Sequence, residues 1–234
     1  QQKTLAQANI DSIIEGKNLR QQVEVLNRLS EKYRVSNPLQ AMPLSKKAVE
    51  LAAETEDRRL FAASIKNLGV LYYFTSTYDS AMKYFEKAAE IYHSAGDSTG
   101  YSNVLNNQAI TAMMQSEYQT ALSLLDQTLK IKSALNDTMA LIKCHHNIGN
   151  CYNYQGKYLQ ALEHYRKAIR LNKTTEDVLS RVKLLIGMGA IYETQELFDQ
   201  AIAEYTTALN LTEKHGFLKE KPYLLHNLSV VYLE

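Results

Sequence analysis

A constant spacing of 40 residues runs through this 234-residue chain and limits its fold more than any other feature. NRLS at 27, NLGV at 67, NQAI at 107, NIGN at 147, GMGA at 187 and NLSV at 227 all keep it, and asparagine opens five of the six. Ala41, Ala81, Ala121, Ala161 and Ala201 form a second column, and Ala48, Ala88, Thr128, Ala168 and Ala208 a third, seven residues further on. Two aromatic columns follow the same period: Tyr72, Tyr152, Tyr192 and Tyr232, with Ala112 as the exception, and Tyr78, Tyr118, Tyr158 and Phe198. Self-similarity at such a period marks stacked supersecondary units, none of which can bury its apolar face alone.

Each unit reads as two helices. Ile65, Leu68 and Tyr72 lie three and four residues apart, as one apolar stripe of a first helix. After a short break at STYD, Ala81, Tyr84, Phe85, Ala88 and Ile91 form the stripe of a second. Asp57, Asp97, Asp137 and Asp177 follow each second helix, placed to accept hydrogen bonds from the free N–H groups that open the next. In the fifth loop Phe217 replaces the aspartate, and Gly216 is suited to end the preceding helix in a left-handed conformation. Gly69, Gly149 and Gly189, opposite the alanines, allow close helix approach, with large aromatics filling the space beside them. The expected fold is all-α: a solenoid of antiparallel helical hairpins, about 12 helices in all.

These residues resemble the tetratricopeptide repeat family. Its pattern is met by Ile65, Leu68, Gly69, Tyr72, Ala81, Phe85 and Ala88. Ile148, Gly149, Tyr152, Ala161, Tyr165 and Ala168 meet it again, as do Met188, Gly189, Tyr192, Ala201, Tyr205 and Ala208. The usual period of about 34 is exceeded by roughly six residues between the second alanine and the next unit, which lengthens the helices there. The expected organisation is a capping helix within 1–21, five repeats over 22–61, 62–101, 102–141, 142–181 and 182–221, and the first helix of a sixth over 222–234. Leu5, Ala8, Ile13 and Ile14 mark the capping helix, ending at Gly16. The first repeat departs from the pattern, with Leu29 in the glycine position and Pro38 and Pro43 near the start of its second helix. Because the last repeat is half a hairpin, the native protein is expected to continue beyond Glu234.

The stretch KCHHNIGNC tests whether the chain also carries chemistry. Cys144 and Cys151 fall seven residues apart in one helix, so their Cα atoms are separated by roughly 10 Å, too far for a disulfide or one zinc ion. His145 and His146 point away from Cys144 by ~100° and ~200°. Cys144 aligns with Val104 and Leu184, and Cys151 with Leu71 and Ile191, which are core columns. GNCYNYQGK lacks phosphate-loop spacing, and no HExxH or G-x-S-x-G occurs. No catalytic residue, metal or cofactor is expected. A net charge of +1 gives no footprint for nucleic acid, and no apolar run approaches the ~20 residues of a bilayer span, so no membrane contact by this region is expected.

The expected function is binding, along the concave surface that first helices line in such a stack. The outward arc of the second unit carries Lys66, Asn67, Val70, Tyr73 and Phe74, and that of the third Asn103, Asn106, Asn107 and Ile110. Lys143, His146, Asn147 and Asn150 follow in the fourth unit, Lys183 in the fifth and Asn227 in the sixth. An asparagine ladder can pair with the backbone of an extended peptide without reading its side chains, or each amide can tie its helix to the next repeat. The resemblance to kinesin light chains and bacterial peptide-sensing regulators implies the former. The carboxylate clamp of chaperone-binding relatives is incomplete, since Lys66 is followed by Val70 and Asn150 preceded by His146.

Leu26, Asn27, Leu29, Tyr33, Arg34, Asn37, Pro38 and Ala41 resemble the opening repeat of sensor regions in bacterial two-component histidine kinases. That implies a periplasmic module ahead of a membrane helix and a kinase or DNA-binding output. A stand-alone cytoplasmic adaptor is the other reading, which two unpaired cysteines favour mildly. Partners would be a protein or extended peptide, and an exposed apolar end allows a homodimer by end-to-end stacking.

Overall fold

The computed structural model describes the backbone of residues 5–233 and the side chains of residues 10–233. Among the described residues there are twelve α-helices and no strand. They are α1 (Leu5–Ile14), α2 (Leu19–Tyr33), α3 (Pro38–Ala53), α4 (Arg58–Phe74), α5 (Tyr78–Ser94), α6 (Ser98–Met114), α7 (Tyr118–Ala134), α8 (Thr138–Tyr154), α9 (Tyr158–Asn172), α10 (Val178–Thr194), α11 (Phe198–His215) and α12 (Lys221–Val231). The chain forms two compact units, one ending at Ile131 and the other beginning at Lys132. In the first unit α2 pairs with α3 and α4 with α5, while α3 also packs on α4 and α5 on α6. In the second, α8 pairs with α9 and α10 with α11, and α12 lies against α11. Within each unit this is the all-α solenoid arrangement expected from the period.

The aspartate column opens helices as anticipated. Asp57 Oδ1 accepts from Leu60 N–H at 3.0 Å, Asp97 from Gly100 at 2.8 Å, Asp137 from Ala140 at 3.0 Å and Asp177 from Ser180 at 3.0 Å. At the first repeat, where no such aspartate precedes the helix, Asn18 caps α2 in a reciprocal box with Gln21. Pro38 opens α3 behind the Asn37 cap, but Pro43 lies inside the helix, in its second turn.

The turns inside the hairpins are less obvious from composition. After α4, Ser76 adopts a left-handed φ of 57°, and Thr77 N–H donates back to Tyr72 O at 2.9 Å. Ser116, Gly156 and Glu196, at φ 63°, 69° and 58°, close the next three turns in the same way. The corresponding bonds run from Glu117 to Ala112 at 2.8 Å, Lys157 to Tyr152 at 2.9 Å and Leu197 to Tyr192 at 2.9 Å. This closure satisfies carbonyls that each first helix would otherwise leave unpaired. Gly216 ends α11 in the left-handed conformation expected of it, at φ 71°.

Packing within a hairpin turns on one contact. Gly69 lies under the ring of Phe85, so that a Cβ built there would come within 2.8 Å of a ring carbon. Gly149 meets the ring of Tyr165 and Gly189 that of Tyr205 in the same way, the latter at 2.5 Å. Phe85, Tyr165 and Tyr205 are almost wholly buried, each among alanines of the two alanine columns. Tyr72 stacks on Tyr84 with centroids 5.1 Å apart, adding a second aromatic contact to the α4–α5 hairpin. At 0–1% exposure Cys144 and Cys151 lie in the packed interior, as their columns imply, and are not joined in a disulfide.

Two stability changes follow from this packing. Gly149→Ala forces a methyl group into the Tyr165 ring and is expected to cost about 1–3 kcal/mol in urea denaturation; a loss below ~0.5 kcal/mol would contradict the close approach. Glu196→Gly relieves a left-handed non-glycine residue and is expected to stabilise the chain by roughly 0.5–1 kcal/mol, a gain that the same denaturation series would resolve.

Candidate functional site

The first helices line up within each unit. In the first unit α4 lies against both α2 and α6, and in the second α8 lies against α10. Hairpin packing uses the glycine side of these helices, which leaves the other arc to the surface. Val70, Tyr73 and Ile110 are partly buried on that arc, whereas Phe74, Asn103, Lys143 and Lys183 are exposed. Asn106, Asn107, His146, Asn147 and Asn150 are partly buried.

The asparagine column divides into different roles. Asn27 Nδ2 on α2 donates to Ser64 Oγ on α4 at 2.8 Å, and Ser64 in turn donates to Leu60 O at 3.0 Å. That amide ties neighbouring repeats together. Asn67 is only 6% exposed, and its Oδ1 has no hydrogen-bond partner among the described residues. Position 104, in register with Ser64, is a valine and offers no hydroxyl. Asn227, 7% exposed, hydrogen-bonds the Tyr205 hydroxyl, which also donates to Glu193 Oε2 at 2.7 Å. Asn150 Oδ1 accepts from the Tyr165 hydroxyl at 2.6 Å, so it braces its own hairpin. Asn107 therefore stands as the half-buried amide of the first unit's ladder, beside the exposed Asn103.

Lys66 is shifted below the ordinary lysine range by burial, an effect partly opposed by Glu31 on α2 and reinforced by Arg34. Burial and the neighbouring Arg34 thus lower the cost of removing its proton.

A histidine pair in the second unit has no counterpart in the sequence reading. His145 on α8 and His164 on α9 place their Nδ1 atoms 3.1 Å apart, so one ring donates while the other accepts. Tyr152 packs on His164 at 5.6 Å between centroids, and His146 lies by Tyr165 at 5.9 Å. Residue 164 follows 145 by 19 positions on a separate helix, and no local motif links the two. Burial pushes His145 down to about 4, helped by the nearby His164, Lys167 and Arg170; burial and Lys183 take His146 to about 4. Among the described residues no group of three or more His, Cys, Asp or Glu side chains could hold a metal ion, and no helix is long and apolar enough to cross a membrane.

The sequence model for the tetratricopeptide repeat matches residues 61–134, 100–174 and 141–214. No curated protein matches the chain. Among solved structures, BtubC (BKLC) from P. vanneervenii is 19% identical at a TM-score of 0.73, over 92% of this chain and 93% of that one. A Rap protein in complex with competence and sporulation factor is 14% identical at 0.68, over 97% and 68%. A signal transduction ATPase with numerous domains and a tetratricopeptide repeat sensor, from Pyrococcus horikoshii, is 18% identical at 0.70; this chain covers 38% of it and is itself covered over 96%. At these identities the likeness is one of fold.

Depressed histidines set the sign of an acid response. The unfolded chain takes up protons near 6.5 whereas folded His145 and His146 resist them down to about 4. The contribution of these two histidines to stability is therefore expected to be full above pH 6.5, to fall as pH drops toward 4 and to level off below it. Thermal melts across this window are expected to show that slope, and His146→Gln to flatten it; an unchanged slope in the variant would contradict the assignment.

Proposed function

The chain belongs to the tetratricopeptide repeat family, and on that premise we propose that it is a non-catalytic binding module for proteins or extended peptides, serving as the sensory region of a bacterial signal-transduction protein of the two-component type. The observation that carries the binding part is the arc of α4 and α6 opposite the hairpin packing. It sets Lys66, Asn67, Val70, Tyr73 and Phe74 beside Asn103, Asn106, Asn107 and Ile110. Amides there supply both donors and acceptors to a peptide backbone, and the apolar and aromatic side chains supply contact area for alternate side chains. Lys143, His146, Asn147, Asn150 and Lys183 form the corresponding arc of the second unit, with Asn227 at its end.

The sensory part rests on fold likeness to a Rap protein complexed with competence and sporulation factor and to a signal transduction ATPase with a tetratricopeptide repeat sensor. It carries with it a periplasmic location. The alternative, a stand-alone cytoplasmic adaptor, draws its support from Cys144 and Cys151, which are not joined in a disulfide.

Selection of binders from a random peptide display library tests the binding face. Peptides recovered on the whole chain are expected to lose at least about ten-fold in affinity on Asn103→Ala/Asn107→Ala, a change of about 1.4 kcal/mol or more. Both side chains reach the surface, so the fold is retained. Unchanged affinity in that variant would count against this face as the binding surface.

A further inference from the structure

A second surface of the first unit has a chemistry of its own. Between α5 and α6 lies a cleft of about 440 Å³, within the range of ligand pockets. Glu86, Glu90 and His93 line it from successive turns of α5, and Tyr101, Leu105 and Gln108 from successive turns of α6. Ala89 and Leu105, both buried, make the floor. Tyr101 and His93 meet edge to face at 5.2 Å and form an aromatic wall. No lysine or arginine is among the described residues that line it, and Lys87, the nearest cation along α5, sits over the Phe61 ring instead.

Gln108 is the unexpected member. It is 7% exposed, it lines the cleft, and its amide has no hydrogen-bond partner among the described residues. In the repeat register its position is occupied by Leu68, Ile148, Met188 and Leu228, with an exposed Arg28 in the first repeat. A mostly buried amide in a column of apolar residues keeps its polar atoms open to the cleft, where a ligand group can meet them. The two carboxylates occur together only here, since their register holds Lys46 and Glu50, Asp126 and Lys130, Arg166 and Arg170, and Thr206 and Asn210 in the other repeats.

We propose that this cleft binds an arginine side chain presented by a peptide segment of a partner protein. A guanidinium is planar, carries five N–H donors in a fixed fork and stacks on aromatic faces. Lying against Tyr101, it reaches Glu86 and Glu90 at the rim with charge-assisted bonds and offers a further N–H to the Gln108 carbonyl. Its methylene stem covers Ala89 and Leu105. Lysine, a compact point charge, satisfies fewer of these groups. The site lies on the opposite side of α6 from Asn103 and Asn107, and does not depend on the reading of that face.

Titration calorimetry of the whole chain with acetyl-Gly-Leu-Arg-Gly-amide tests it, with the citrulline and lysine counterparts as controls. The arginine peptide is expected to bind saturably, at least about ten-fold tighter than the citrulline peptide, and to lose a similar factor on Glu86→Gln/Glu90→Gln. Those side chains are exposed, so the variant retains its fold. Gln108→Leu, which restores the apolar column, is expected to melt no lower than the parent while binding more weakly. Absence of saturable binding, equal binding of the citrulline or lysine peptide, or indifference of the folded double variant would overturn the proposal.

Discussion

The seating of one large side chain over one small residue, inside each hairpin, is the contact on which the rest depends. Gly69 with Phe85, Gly149 with Tyr165 and Gly189 with Tyr205 are its direct instances. The same two register positions hold Ala109 and Leu125 in the third repeat and Leu29 and Ser45 in the first. As one member grows the other shrinks, and in the first repeat the order is reversed. Interiors packed to crystal-like density tolerate such exchanges when the summed volume is kept, and resist changes to one partner alone. Closeness at this contact fixes which arc of each first helix faces inward, and so which arc is left for recognition.

Polar groups at the hairpin interface mark a second level of control. The tyrosine rings that fill the glycine gaps end in hydroxyls, and these find Asn150 and Glu193 on the first helix of their own hairpins. Phe85 has no such group, so the α4–α5 hairpin relies on ring stacking between Tyr72 and Tyr84. Bracing residues thus alternate along the same helices with the residues proposed for recognition. Asn27 is committed to Ser64, Asn150 to Tyr165 and Asn227 to Tyr205, whereas Asn103 and Asn107 retain access to the surface. Spacing alone cannot separate these roles, because a neighbour in the next repeat decides them.

Much of the architecture was legible in the sequence because the 40-residue period presents each structural device five or six times. The aspartate caps, the Gly216 helix end, the buried cysteines and the hairpin stripes all came from columns. The turn residues did not, since Ser76, Ser116 and Glu196 adopt the left-handed conformation without the glycine that announces it at Gly156. Their strain is imposed by hairpin closure, which is a tertiary demand. The His145–His164 pair and the cleft at Gln108 were missed for a related reason: each joins side chains from different helices. A signal for the latter was present, a lone amide in an apolar column, but its meaning required seeing what faced it.

Hydrogen–deuterium exchange on the chain, free and saturated with a library-selected peptide that contains no arginine, tests the central claim that the arc of α4 and α6 opposite the hairpin packing holds an extended peptide. The account predicts slowed exchange concentrated in α4 and α6, with α5 unchanged. Protection confined to α5, with α4 and α6 indifferent to the peptide, would contradict it.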